Sequence, residues 1–332
     1  METSIIVAII ASLTSLIAAG LTFLYTRSNS RDIEILKAAL LEEKSEKDAR
    51  RDYEYEARKR LYKECEPLFF QFFERSESAY SIIKSLAARS REGNLDENGY
   101  LSRNRYYLKS TIYQLLAPLA IYKLIDSRLT LIDLQVDARL RAQYTFAKLL
   151  YKAFTCDAAL AAVRPVLPYT PYDKHWRERR KTAPQIYYRQ GFPVGRLDNA
   201  LDSLIKINHD NSNSLISFGE FEKNIETIED EDVESPLGVA KDMFFSFHPQ
   251  KRPVLWRLLI CQACIYECIS NIRRQEEFAV ETSQIFVRKL FKEEESRRPY
   301  DWRKEEGEDT DEHVLIDPFK AAREFLIWEL KL

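Results

Sequence analysis

Apolar residues recur along most of this chain at three- and four-residue steps, the period of one face of an α-helix. Alternation at every second residue, the pattern of a half-buried strand, is hard to find. Only 8 glycines and 12 prolines interrupt the 332 residues. The pattern predicts an all-α protein, and Ser217 with Glu220 has the spacing of a capping box at one helix start. The other predicted helices cover residues 68–91, 103–126, 130–162, 198–207, 236–247, 252–275, 276–296 and 317–331.

The first apolar stretch carries no charged residue from Ile5 to Tyr25. As a helix it extends for about 31 Å, close to the hydrocarbon thickness of a bilayer. A secretory signal has a basic start and an apolar core of about 7–15 residues, whereas this chain starts Met-Glu-Thr. A cleaved signal is the alternative, because Ala18-Ala19-Gly20 imitates a cleavage site. We expect an uncleaved transmembrane anchor over residues 1–28.

The charges beside this stretch indicate its orientation. Arg27 and Arg31 follow it, and no basic side chain precedes it. Cytoplasmic flanks of membrane helices carry an excess of Lys and Arg. We therefore expect a single-pass protein of the cell inner membrane, with the N-terminus outside and the C-terminal domain in the cytoplasm.

Small and hydroxyl-bearing residues also recur within the expected anchor. At this spacing they let membrane helices approach closely, and the hydroxyls can form hydrogen bonds across the contact. The pattern predicts self-association of the span into a homo-oligomer, and the alternative is a helix that only tethers. The residues are Ala8, Ala11, Ser12, Ser15, Ala19 and Gly20.

Residues 29–66 are rich in charges of both signs, which predicts a solvated helical neck. An apolar seam begins in the neck, but Glu43 and Lys47 follow it, so a coiled coil would end after about one heptad. The seam residues are Ile33, Leu36 and Leu40.

Residues 67–332 are expected to form an all-helical cytoplasmic domain, with an irregular segment at 164–197. Between 164 and 196 this segment holds eight Lys or Arg against two Asp or Glu, interleaved with aromatic residues. The combination suits a nucleotide, single-stranded nucleic acid or an acidic partner. The alternative is neutralisation within the fold by the acidic run 293–313. The candidate binding residues are Arg164, Lys174, Trp176, Arg177, Arg179, Arg180, Lys181, Tyr187, Tyr188 and Arg189.

Candidate metal ligands are sparse, and no cofactor is expected. The chain has five cysteines, an odd number that does not suit a secreted disulfide framework. Three of them share one face of a predicted helix, which favours buried structural thiols over an iron–sulfur cluster. A His-Asp dyad with an upstream histidine is similar to the metal ligands of HD-type phosphohydrolases, but it falls in a run of Asn and Ser. These residues are Cys261, Cys264 and Cys268, and His175, His209 and Asp210.

No phosphate-binding loop or catalytic motif occurs, and the net charge of −2 argues against a wholesale nucleic-acid binder. The plan of the chain resembles that of prokaryotic conflict-system effectors and signalling adaptors. The resemblance implies a membrane-anchored, non-enzymatic effector or adaptor of antiviral defence or signalling. Its cytoplasmic domain would bind a ligand or a protein encoded nearby and control self-association of the span. The alternatives are a tethered helical metal-dependent phosphohydrolase or nuclease, and a nucleic-acid-binding module that uses residues 164–196.

Overall fold

The computed structural model describes residues 2–95, 99–102, 106–129, 133–228, 235–245, 247–274 and 318–330. The predicted helix at 276–296 and the acidic run 293–313 lie outside these residues. The described chain is mostly helical, which confirms the all-α prediction. It divides into two compact units, Met1–Lys59 and Arg60–Leu332.

Helix α1 covers Glu2–Arg91 and continues through Pro67. From residue 61 onward it is amphipathic, because its buried side chains recur at three- and four-residue steps and face the core of the second unit. These side chains include Leu61, Cys65, Phe69, Phe72, Ala79, Ile83 and Leu86.

The remaining helices of the second unit follow in order around one apolar core. The helix predicted at 130–162 is interrupted at Cys156, and a short 3-10 turn, Leu134–Val136, precedes it. Asp137 begins the helix after that turn, since its carboxylate accepts a hydrogen bond from the Leu140 amide at 2.9 Å. The helices are α2 (Tyr106–Leu129), α3 (Ala138–Thr155), α4 (Asp157–Ala162), α5 (Trp176–Thr182), α6 (Pro184–Tyr187), α7 (Val194–Asp202), α8 (Phe218–Glu226), α9 (Gly238–Phe244), α10 (Pro253–Arg274) and α11 (Pro318–Glu329).

Two predicted helices near the middle of the chain have different outcomes. The capping box is confirmed, because the Ser217 hydroxyl accepts from the Glu220 amide and the Glu220 carboxylate accepts from the Ser217 amide. The helix predicted at 198–207 is wrong in its second half. A strand, β1 (Ile205–Ile207), pairs there antiparallel with β2 (Asn213–Leu215).

Helix α10 lies in the centre of the second unit and packs against α3, α4 and α11. It is long and apolar enough to cross a membrane, but 89% of its apolar window is buried inside the protein. A core helix of a folded domain has this same composition. The stretch Ile10–Thr26 of α1 is also apolar but shorter, and its side chains are exposed.

Candidate functional site

The residues from 164 to 196, here called the basic aromatic segment, leave the core after α4 and return to it at the first turn of α7. Two short helices, α5 and α6, interrupt an otherwise irregular backbone. Long irregular segments in compact domains are frequently functional. The contacts at its two ends explain how the segment is held.

Arg257 of α10 holds the first end. Its buried guanidinium donates hydrogen bonds to the carbonyl oxygens of Leu160 at 2.8 Å, Val163 at 3.1 Å and Pro165 at 2.5 Å. Burial lowers the pKa of Arg257 to about 10, so the group is still cationic at pH 7. A single charged side chain therefore satisfies the carbonyls where α4 ends and the segment begins.

Gln190 holds the second end. Its side-chain oxygen accepts hydrogen bonds from the amides of Val254 at 2.7 Å and Leu255 at 3.2 Å, in the first turn of α10. Its side-chain nitrogen donates to the Gln185 carbonyl at 2.9 Å. The fully buried side chain of Gln190 thus supplies an acceptor for two backbone N–H groups that have no partner within the first turn of the helix. Both ends of the segment are fastened to the same core helix.

Tyr169 and Asp157 add a third attachment. The Tyr169 hydroxyl donates to the Asp157 carboxylate at 2.7 Å and accepts from the Gln190 amide at 2.8 Å. Burial and the neighbouring carboxylate raise the pKa of Tyr169 well above its ordinary value. Gly191 lies so close that a Cβ atom built on it would be 2.6 Å from the Asp157 Cβ. Position 191 therefore requires glycine for space.

Tyr188, one of the predicted binding residues, is buried in the structure. Its hydroxyl donates to the Asp242 carbonyl at 2.6 Å. The Arg252 guanidinium lies 4.0 Å from the centre of its ring and donates to the same carbonyl at 3.0 Å. The Tyr188 ring and the Arg252 cation therefore contact each other within the folded domain.

The outer part of the segment is organised around Arg179. Its guanidinium pairs with the Asp173 carboxylate at 2.9 Å, bonds to the Tyr187 hydroxyl at 3.1 Å and lies 5.2 Å from the centre of that ring. Hydrogen bonding to Tyr187 and the Asp173 charge raise the pKa of Arg179. The arrangement fixes the fold of the loop and leaves Tyr172 76% exposed.

The other predicted binding residues differ in accessibility. Arg164, Lys174 and Lys181 are exposed, whereas Arg189 and Tyr187 are partly buried. Trp176, Arg177 and Arg180 lie on α5, and their side chains are outside the described part. The exposed side chains that the structure describes in this segment therefore include Tyr172, two lysines and Arg164. Sequence reasoning missed the anchors Asp157, Gln190, Gly191, Arg252 and Arg257. Of these, only Arg257 could have been noticed in the sequence, because it is the one charged residue in the apolar stretch at 254–265.

The predicted metal ligands His175, His209 and Asp210 lie on two different elements of the fold. His175 is exposed beside Glu178 at the start of α5. His209 and Asp210 are exposed in the turn between β1 and β2, where the Ser212 amide and hydroxyl donate to the Asp210 carboxylate. These bonds lower the pKa of Asp210. Among the described residues, no group of three or more His, Cys, Asp or Glu side chains is arranged to hold a metal ion.

The three cysteines of α10 are buried in the core. The Cys261 sulfur points at the Ala322 carbonyl of α11, 3.9 Å away. Burial raises the pKa of the Cys261 thiol, so the thiolate needed for metal binding is disfavoured. The burial matches the prediction of structural thiols.

The small residues of the expected anchor lie on α1, although the side chain of Ala8 is outside the described part. Ala11, Ser12, Ser15 and Ala19 are exposed, and a Cβ atom built on Gly20 would meet no atom within 4 Å. Their helix surface is therefore open to close approach.

Comparison of this chain with protein-family models, curated proteins and solved structures finds no match.

Proposed function

We propose that this chain is a membrane-anchored, non-enzymatic effector or adaptor whose helical domain binds an anionic partner. In this proposal the N-terminal part of α1 crosses the inner membrane, and the domain lies in the cytoplasm. The basic aromatic segment receives the partner, and partner binding controls association of the spans. Antiviral defence or signalling is the setting that the plan of the chain suggests.

The observation that carries the anchor is the exposure of every large apolar side chain between Ile10 and Tyr25. All eight of these side chains are between 56% and 74% exposed. At about 100° per residue they cover an arc of about 200° of the helix, small and hydroxyl-bearing residues occupy the remaining side, and no charged residue separates them. A helix without charge on any side suits hydrocarbon, because water would penalise each exposed large apolar side chain by about 1.5–3 kcal/mol relative to burial.

The hydroxyl groups of this stretch support the same proposal. Thr14 and Ser15 both donate to the Ala11 carbonyl at 2.9 Å. Thr22 and Thr26 donate to carbonyls four residues earlier, at 2.8 Å and 2.7 Å. In hydrocarbon each polar group must be satisfied within the protein, and these bonds meet that need.

Charge in the middle of the span is expected to prevent stable membrane insertion. We predict that full-length protein stays in the membrane pellet after an alkaline carbonate wash, and that Leu16→Arg with Ile17→Arg moves most of it to the supernatant. Each arginine at the centre of a span costs about 2.5–3.5 kcal/mol on insertion scales.

Ile35→Arg is the matched control, since Ile35 is an exposed apolar residue of the same helix beyond the span. This variant is expected to remain in the pellet. Carbonate extraction of the unsubstituted chain, or equal retention of all three proteins, would contradict the anchor.

A nucleic-acid-binding module is the second candidate function, favoured by the exposed side chains of the basic aromatic segment. Tyr172 offers a ring for base stacking, and Lys174 and Lys181 are exposed cations on the same segment. Ring and cation together are the usual means of binding single strands.

For this candidate we predict that Lys174→Glu with Lys181→Glu weakens binding of a fluorescent single-stranded oligonucleotide at least tenfold. The slope of log affinity against log salt should also fall by about 1.4, since each lost phosphate contact removes about 0.7. Lys148→Glu with Lys223→Glu is the control, because both lysines are exposed on other helices and the change in net charge is the same. Equal weakening by both pairs would show that only overall charge acts, and absence of binding by the full chain would exclude this candidate.

A further inference from the structure

The neck carries an apolar face that is open in the structure. Ile33, Leu36, Leu40 and Leu41 are 47%, 62%, 56% and 67% exposed. At about 100° per residue they lie within an arc of about 140° on α1. Another exposed aliphatic residue of the neck, Ile35, lies on the opposite side. Exposure of four apolar side chains on one helix face is unfavourable in water unless a partner covers them.

The spacing of three of these residues is that of a coiled coil. Ile33, Leu36 and Leu40, here called the neck seam, take successive a, d and a positions of a heptad. Steps of three and four residues, continued from Ile33 toward the N-terminus of the same helix, lead into the uncharged apolar stretch Ile5–Tyr25. They pass Asn29 and Thr26 and then meet only small or hydroxyl-bearing residues within the stretch, in the order Thr22, Ala19, Ser15 and Ser12. One continuous helix face therefore joins the neck seam to the predicted contact within the membrane.

We propose that the neck seam is the contact between two copies of this chain, packed as parallel helices. The inference rests on the proposed membrane anchor, because two spans inserted in the same direction impose the parallel arrangement. Of the two a positions of the seam, Ile33 is β-branched and Leu40 is not, and Ile33 at a with Leu36 at d is the combination that favours two strands. A seam of this kind is also self-complementary, as a twofold contact requires.

The charges beside the seam distinguish a parallel pair from an antiparallel one. From residue 33 to residue 51 the e positions hold Lys37, Lys44 and Arg51, and the g position of the heptad that begins at Leu40 holds Glu46. If a parallel pair stays in contact just past the seam, Glu46 of one copy lies beside Arg51 of the other, with opposite charges. An antiparallel pair would bring the basic e positions together. The neck therefore fits a second copy of itself in the parallel direction.

The seam is short, and its end is visible in the structure. The next d and a positions hold Glu43 and Lys47, whose side chains pair within one helix at 2.6 Å. One apolar heptad alone would be marginal in water. Confinement of both copies to one membrane raises their effective concentration, so a short seam becomes sufficient.

Disulfide trapping along the neck tests this pairing in membranes that contain the full chain. Single substitutions Leu36→Cys and Leu40→Cys are expected to give cross-linked dimer with copper phenanthroline as oxidant. Ile35→Cys and Glu42→Cys, on the opposite side, should give at least fivefold less. A disulfide forms only when the two Cα atoms come within about 7 Å. The unsubstituted chain sets the background, and four of its five thiols are buried.

A second pair of variants tests the energetics at the same site. Leu36→Glu, made together with Leu40→Cys, is expected to reduce the cross-linked fraction several-fold, whereas Ile35→Glu with Leu40→Cys should leave it unchanged. Both changes place a carboxylate at an exposed position of one helix. Cross-linking that is absent or equal at all four cysteine positions would overturn the pairing. So would equal effects of the two glutamate variants.

The carbonate fractions of the same samples separate this failure from failure of the anchor. Protein that stays in the pellet without cross-linking at the seam overturns the neck pairing alone. Protein in the supernatant overturns the proposed anchor and, with it, the basis for the parallel arrangement.

Discussion

Arg257→Ala is expected to lower the free energy of unfolding of the helical domain by about 3–4 kcal/mol. Three carbonyl groups at the start of the basic aromatic segment would lose their donor. A hydrogen bond to a charged group is worth about 1.5–3 kcal/mol, and bonds that share one side chain contribute less than their sum. The alanine would also leave a cavity in the core beside α4. The segment between Arg164 and Arg189 should then become the first site of cleavage in limited proteolysis, since one of its ends is no longer fastened.

Thermal unfolding of the full chain in detergent, followed by circular dichroism at 222 nm, measures the change. The expected fall in midpoint is on the order of 10 °C. Arg274→Ala is the control, because that arginine is exposed at the end of the same helix, and its loss should change stability by less than about 0.5 kcal/mol. Arg257→Lys keeps the charge but not the fork of donors, and should lie between the two. If Arg257→Ala unfolds with the midpoint of Arg274→Ala, the anchoring role is refuted.

Gly191→Ala is expected to destabilise the domain by about 2–3 kcal/mol, although the change adds a single methyl group. The new Cβ would lie 2.6 Å from the Asp157 Cβ and 2.9 Å from its Cγ, which is far inside van der Waals contact. Asp157 cannot move away without losing the hydrogen bond from Tyr169. The backbone near residue 191, where the segment rejoins the core, would therefore be strained.

Gly195→Ala provides the control, because a Cβ built there meets no atom within 4 Å. Gly195 is the second residue of α7, and alanine at an unstrained position stabilises by about 0.4–1 kcal/mol because it reduces the freedom of the unfolded chain. The same unfolding measurement should thus move in opposite directions for two identical substitutions four residues apart. A rise in midpoint for both variants would show that Asp157 yields freely and that the close approach at 191 is unimportant.

Helix positions could be read from local pattern to a good degree. The helices predicted at 252–275 and 317–331 correspond to Pro253–Arg274 and Pro318–Glu329, and the capping box at Ser217 formed as expected. Each depends on residues within a few positions of one another. The error at 198–207 arose because a contact between positions ten residues apart determines the secondary structure there, since Ile205 pairs with Leu215 across the hairpin. The alternation in each strand is only three residues long, too short to distinguish from helix.

The candidate site shows the same division. Its basic and aromatic composition is visible in the sequence, but composition could not separate the buried Tyr188 from the exposed Tyr172. The groups that hold the segment, Gln190 and Arg257, bond to partners 64 to 97 residues away along the chain. Such contacts depend on how the helices pack, and no local pattern encodes them.

By itself the sequence determined that this protein is mostly helical, that an uncharged apolar stretch lies near its start, and that a basic aromatic segment interrupts its helices. These features follow from periodicity, charge and breaker residues, which act over a few positions. Only the tertiary structure decided which helix forms the core, which side chains of the segment face outward, and how its ends are fastened. Burial is a property of the packed chain, because it depends on atoms that packing brings together from distant parts of the sequence.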